Sequence, residues 1–189
     1  DELSIAQALA PTPLVRCHTV DLEVPAECEA VLEGYITAEL AGEGPFTDLS
    51  GTWDVVRKQP VIDIACVTHR REPLYHAMLP GGPEHKLLMG VPREPAIFQA
   101  VAEVADCRAV SLTSGGMGWL HAVVQIVKHG AEDGRRAAEA AFHGHAGLKH
   151  VVVVDEDVDP FEPDAVEWAI ATRFQAGRDL MVWPDRPGS

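Results

Sequence analysis

The chain has 189 residues, with 29 Asp and Glu against 15 Lys and Arg and a formal net charge of -14 at pH 7. A surface this acidic repels a phosphate backbone, and no stretch interleaves Lys and Arg with aromatic residues, so nucleic acid is not an expected partner. With 47% hydrophobic and 23% charged residues, the composition is that of a folded globular protein large enough for one substantial core or two small domains.

The first third reads as short extended runs: "LVRCHTV" (14–20), "EAVLEGYI" (29–36), "WDVV" (53–56), "VIDIACVTHR" (61–70) and "LYHAML" (74–79). Their β-branched and aromatic content and Gly/Pro punctuation predict antiparallel strands of a barrel or sandwich. A Gly/Pro-rich connection, "LPGGPEHKLLMGVPREP", follows and reads as a binding loop or lid. A helix then starts at Pro95, with Ile97, Phe98, Val101, Val104 and Ala105 on its core face.

From about residue 109 strands alternate with helices. "AVSLT", the turn "SGGMG", "LHAVVQIV", the helix "EDGRRAAEAAF", "HVVVV", the helix "PDAVEWAIATRF" and a closing strand "DLMVW" give the order β-β-α-β-α-β. The predicted class is α+β, with a domain boundary at 108/109 and an α/β layer beside the barrel part.

Cys17, Cys28, Cys66 and Cys107 lie far apart with no CxxC pair, as expected for reduced thiols in a cytoplasmic protein. No apolar run reaches the roughly 20 residues of a membrane helix, and "DELSIAQALA" lacks the features of a signal peptide. No membrane partner is expected.

Asp155, Asp157 and Asp159 alternate as in a calcium loop, but Pro160 and Val166 stand where that loop needs Gly and Glu. These acids are expected to close a strand and cap the next helix. His143 and His145 follow an Ala-rich helix and suit its C-terminus better than a metal. His121 reads as a satisfied core or interface residue, "SGGMG" as a hairpin turn, and Glu29 and Glu33 as solvated. Glu43 and Asp48 differ in kind, because Gly44-Pro45 bends the chain between them and could turn both toward one cavity. Paired carboxylates in unlike environments are a standard means of keeping one protonated acid.

"TVDLEVPAECEAVLEGYI", "EGPFTDLSGTWD", "LPGGPEHKLLMGVPRE" and "KHVVVVDEDVDPFEPDAVEWAIATRF" together resemble the UbiD family of prenylated-flavin-dependent decarboxylases, in the family's order over nearly the whole chain. The resemblance implies a split antiparallel β-barrel flavin domain of flavin-reductase type, here residues 1–108 in part, and an incomplete α/β domain at 109–189. It implies reversible, non-oxidative decarboxylation of an aromatic or α,β-unsaturated acid, with prenylated FMN, manganese and often potassium. Asp48 would donate or accept the proton, Glu43 would orient an arginine, and Glu2 would be a metal ligand. The "GGPEHKLLMG" segment would line the substrate pocket. Relatives self-associate, so a homo-oligomer is expected. The chain matches a middle portion of the family: an Asn, a His and an Arg of the site lie upstream in relatives, and a flavin-phosphate lysine lies downstream. The expectation is a partner chain or segment that supplies them, or else a non-catalytic oligomerisation or binding module on the same fold.

Overall fold

The computed structural model describes residues 2–184, without the side chains of residues 2 and 3, and its contacts fall into two units. One holds the residues up to 46 together with 53–77, and the other holds 47–52 together with the chain from 78 onward. The boundary expected at 108/109, where strands begin to alternate with helices, falls inside the second unit.

In the first unit α1 (Glu2–Leu9), where no element is expected, precedes β1 (Leu14–Arg16) and β2 (Glu23–Pro25). These two pair antiparallel, with Val15 opposite Val24. β3 (Ala30–Glu43) and β4 (Arg57–His69) form a longer antiparallel pair, from Ala30 opposite His69 to Glu43 opposite Arg57. Its register shifts between Glu33 and Gly34 and again between Ile36 and Leu40, the signature of β-bulges that bend and twist a ribbon. Both sheets are two-stranded and neither closes.

The α+β class therefore holds, while two strands predicted in the first part of the chain do not form. Residues 54–56 are coil because Asp54 is engaged locally: its amide donates to Phe46 O and its carboxylate takes the Val55 N–H and the Arg57 guanidinium. Such bonds compete with a ladder. The 74–79 run is also coil, and Leu74 and Tyr75 are exposed.

Glu33, expected to be solvated, is only 3% exposed. Its carboxylate accepts the His18 N–H at 2.9 Å, the Thr19 N–H at 2.6 Å and the Thr19 hydroxyl at 2.7 Å. One side chain of β3 thus fastens the β1–β2 connection. The His18 amide, followed by the Thr19 hydroxyl, holds the Glu33 carboxyl at about 2, below its ordinary 4.5, against the opposing effect of burial. A cavity of about 240 Å³ opens beside it, lined in part by Cys17, His18, Cys28 and Arg70.

The second unit contains α2 (Pro83–Gly90), α3 (Glu94–Ala102), β5 (Asp106–Leu112), β6 (His121–Val127), α4 (Asp133–Gly144), β7 (His150–Asp155), α5 (Pro163–Arg173) and α6 (Ala176–Asp179). Its sheet runs β5-β6-β7, antiparallel between the first two and parallel between the last two. Alternation along β6 serves two cores. Ala122, Val124 and Ile126 meet Ile97 and Val101 of α3 and Ala137 and Ala141 of α4. Val123 packs with Val154, Val158, Val166 and Ala169 on the α5 side. A central strand covered on both faces explains the unbroken apolar run. Phe98, Val104, Ile170 and Phe174 stay partly exposed at the rims. The predicted closing strand "DLMVW" is instead the end of α6 and coil, where Asp179 binds the Gln175 amide and Arg178.

Two outcomes follow. Ile97→Ala, which empties a fully buried position, should lower unfolding free energy by about 2–5 kcal/mol in denaturant titrations; a change within error of zero would contradict this packing. Because the Glu33 pKa is depressed on folding, its stabilisation is present above pH 4.5 and is lost as pH falls toward about 2. Stability measured across that window should fall less steeply in Glu33→Gln than in the wild type, and parallel curves would refute the assignment.

Candidate functional site

The acidic loop is divided between the two units. Glu43 closes β3 in the first unit, ahead of a cis Gly44-Pro45 bond. Asp48 belongs to the 47–52 segment of the second. Both residues are exposed, and neither carboxylate has a hydrogen-bond or ion-pair partner among the described residues. The structure thus leaves both acids free and places them in separate bodies.

Around Asp48 the backbone is tightly closed. Its amide donates to Thr52 O at 2.8 Å and its carbonyl accepts the Gly51 N–H at 2.9 Å, a turn in which glycine is the favoured fourth residue. Leu49 is buried. The loop leans on Gly81, which has φ +71°; a Cβ there would stand 3.0 Å from Asp48 O. Gly81 in turn donates its N–H to His85 Nδ1 at 3.0 Å. The acid loop is therefore seated on the N-terminal approach to α2.

α2 lies within the segment read from sequence as a loop. It begins at Pro83, where a missing N–H costs nothing. Its far end is pressed against the Thr113–Gly118 turn: a Cβ on Gly90 would lie 2.5 Å from Gly118 O, and one on Gly118 would lie 2.7 Å from Lys86 O. Only glycine permits that approach. Beside the contact is a cavity of about 270 Å³ whose walls include Lys86, Leu87, Val91, Leu112, Ser114 and Glu94. Glu94 Oε1 accepts the Leu112 N–H at 2.9 Å. Lys86 and Ser114 side chains have no partner among the described residues.

Several other acids and histidines have structural partners. Asp155 and Asp157 do not cap α5, whose N-cap has no side-chain bond; they hold Arg173, with Asp157 making bonds of 2.8 and 2.6 Å. Asp133 takes the His129 and Gly130 amides and Arg136, which hold its carboxyl at about 2. His143 Nδ1 donates to Glu139 O in the last turn of α4, and buried His145 donates Nε2 to Trp119 O. Burial pushes the pKa of His145 down. His121 shares a bond with Thr113 Oγ1 at 3.2 Å, but its Nε2 is buried with no partner among the described residues. Burial and the neighbouring His150 lower its pKa.

Among the described residues no group of three or more His, Cys, Asp or Glu could hold a metal ion. Glu2, the expected metal ligand, has its side chain outside the described residues. Nor is any helix there long and apolar enough to cross a membrane.

Residues 1–83 match the 3-octaprenyl-4-hydroxybenzoate carboxy-lyase Rift-related domain, and residues 86–189 match the C-terminal domain of the same enzyme family. The anhydromevalonate phosphate decarboxylase of Methanosarcina mazei is 50% identical over 191 residues, covering 100% of this chain and 45% of that protein. An evolved dimeric form of the UbiD-class enzyme HmfF from Pelotomaculum thermopropionicum, in complex with prFMN, superposes with a TM-score of 0.92 at 44% identity, over 98% of this chain and 44% of that one. The apo 3,4-dihydroxybenzoic acid decarboxylase of Enterobacter cloacae gives a TM-score of 0.83 at 29% identity, over 94% of this chain and 40% of that one. The chain spans less than half the length of these relatives. With both domain matches in order along its length, the chain belongs to the UbiD family.

Proposed function

We propose that the protein carrying this chain is a UbiD-type carboxy-lyase that reversibly removes CO2 from an α,β-unsaturated acid bearing a phosphate. The wider expectation includes aromatic acids. The phosphorylated aliphatic substrate is preferred because the anhydromevalonate phosphate decarboxylase stands at 50% identity, against 29% for the dihydroxybenzoic acid decarboxylase. Self-association of the intact protein is supported by the dimeric form of its structural neighbour.

Prenylated FMN is the cofactor we assign, on the strength of the neighbour that binds it; when bound it supplies the electron sink for carbon–carbon cleavage. The described residues assemble no cradle that identifies its contacts, and manganese or potassium would need donors beyond those described. The open ribbon of β3 and β4 fits a split barrel that is completed elsewhere in the intact protein.

The observation that carries the reading is the unpaired carboxylate of Asp48 on a turn pinned to the approach to α2. Cleavage of the bond to the carboxylate releases CO2 and leaves its electron pair on carbon. The Asp48 carboxyl then gives its proton to that carbon and regains one from water; in carboxylation it takes the proton away. Exclusion of water by a bound substrate favours the proton-bearing form of a carboxyl group. Glu43 would hold an arginine in place.

Asp48→Asn in the intact, flavin-loaded protein should lower decarboxylation by about 10²–10⁴-fold, the usual contribution of a positioned acid or base, with flavin content preserved. Activity within a few-fold of wild type would remove Asp48 from the reaction. An intact protein that neither retains flavin nor releases CO2 would favour a binding module on this fold.

A further inference from the structure

Of the four lysines, Lys58, Lys128 and Lys149 are exposed, and Lys86 alone is partly buried. Like Lys58, Lys128, Lys149, Arg71, Arg93 and Arg135 it has no carboxylate partner among the described residues, but among the lysines it alone lines either of the cavities described above. An acid is close at hand: Glu94 lines the same cavity. Yet Glu94 lies in the first turn of α3 and accepts the Leu112 amide, so helix N-terminus and amide satisfy its charge without the lysine. The Lys86 charge is left for something that enters the cavity.

The cavity suits a short chain with an anionic end. Leu87, Val91 and Leu112 provide apolar wall, and the Ser114 hydroxyl, also in the lining, has no partner among the described residues. A Cβ on Gly115 would meet nothing within 4 Å, so the adjoining backbone is open to approach. The close contact of Gly90 with Gly118 fixes this turn against the helix that carries the lysine. Along the same chain segment, Gly81, on which the Asp48 loop leans, comes just before α2, and Lys86 lies in the first half of that helix. The turn that carries the proposed proton donor thus abuts the approach to the helix that carries the cation.

We propose that the cavity between α2 and the Thr113–Gly118 turn is the subsite for the substrate's phosphate, with Lys86 as its charge partner and Ser114 as a second donor. This rests on the substrate reading above. Lysine binds phosphate as a point charge with three donors, without the planar fit that arginine demands.

The test uses the intact protein, with inorganic phosphate as the binding probe and two substrates, the phosphorylated unsaturated acid and its phosphate-free counterpart. Lys86→Met should weaken phosphate binding, followed by phosphorus NMR titration, by about tenfold or more, the usual scale for a hydrogen bond to a charged group. The preference for the phosphorylated acid, as a ratio of kcat/KM values, should fall by a similar factor, and Lys86→Arg should restore most of it. Ser114→Ala, on an exposed turn, should give a smaller loss of the same kind even if the lysine variant does not fold. Phosphate affinity and substrate preference equal to wild type in these variants would overturn the subsite. Phosphate binding that depends on Lys86, with no turnover of the phosphorylated acid, would support the subsite and sink the substrate reading.

Discussion

The close approach of Gly90 to Gly118 is the contact on which the arrangement of the second unit depends. A methyl group on either residue would meet backbone oxygen at 2.5 or 2.7 Å, so α2 can sit on the turn after β5 only while both positions lack side chains. The turn belongs to the β5–β6 pair, and β6 is the strand buried on both faces. The rigidity of that core is thereby passed to a helix of eight residues that buries only Gly90. At its other end the helix meets Gly81, and through it the Asp48 turn. The acid proposed to carry the proton thus obtains a fixed seat on a loop without any partner for its carboxylate among the described residues.

The acidity of the chain follows from how its carboxylates are used. Glu33, Asp133 and Asp157 gather backbone amides or guanidinium groups and hold loops to strands or a strand end to a helix. Most of the ion pairs are exposed, and such pairs add little to stability; their effect is to occupy arginines. Asp48 and Lys86 have no partner among the described residues, and both are attached to the segment that leads into and forms α2.

Much of the second unit is legible in the sequence because its periodicities are long and local. The apolar run of β6, the Ala-rich face of α4 and the Pro163 start of α5 each specify their element without outside help. α2 is hidden because Gly81-Gly82-Pro83 and Val91-Pro92 frame it with the residues of a loop, and because Leu87, Leu88 and Met89 are all exposed, which leaves no single apolar stripe. Glu33 reads as solvated because its partners, His18 and Thr19, are distant in sequence; only tertiary pairing makes it a buried anchor. The strands expected at 53–56 and 74–79 have β-type residues, but Asp54 satisfies its neighbours locally. Asp48 is legible from the Gly44-Pro45 bend beside it and from the family resemblance of its segment. Lys86 carries no motif, and its place in a cavity wall depends on a glycine contact some thirty residues on in the chain.

The central claim is that the Asp48 carboxyl carries the proton exchanged at the carbon that loses CO2. Its most direct measurement is deuterium incorporation by the intact, flavin-loaded protein in heavy water. The account predicts a single deuterium at the vacated carbon of the product, and wash-in of deuterium from solvent at that carbon that is lost when Asp48 is replaced by Asn. Wash-in at an undiminished rate in that variant would contradict it and assign the proton to another group.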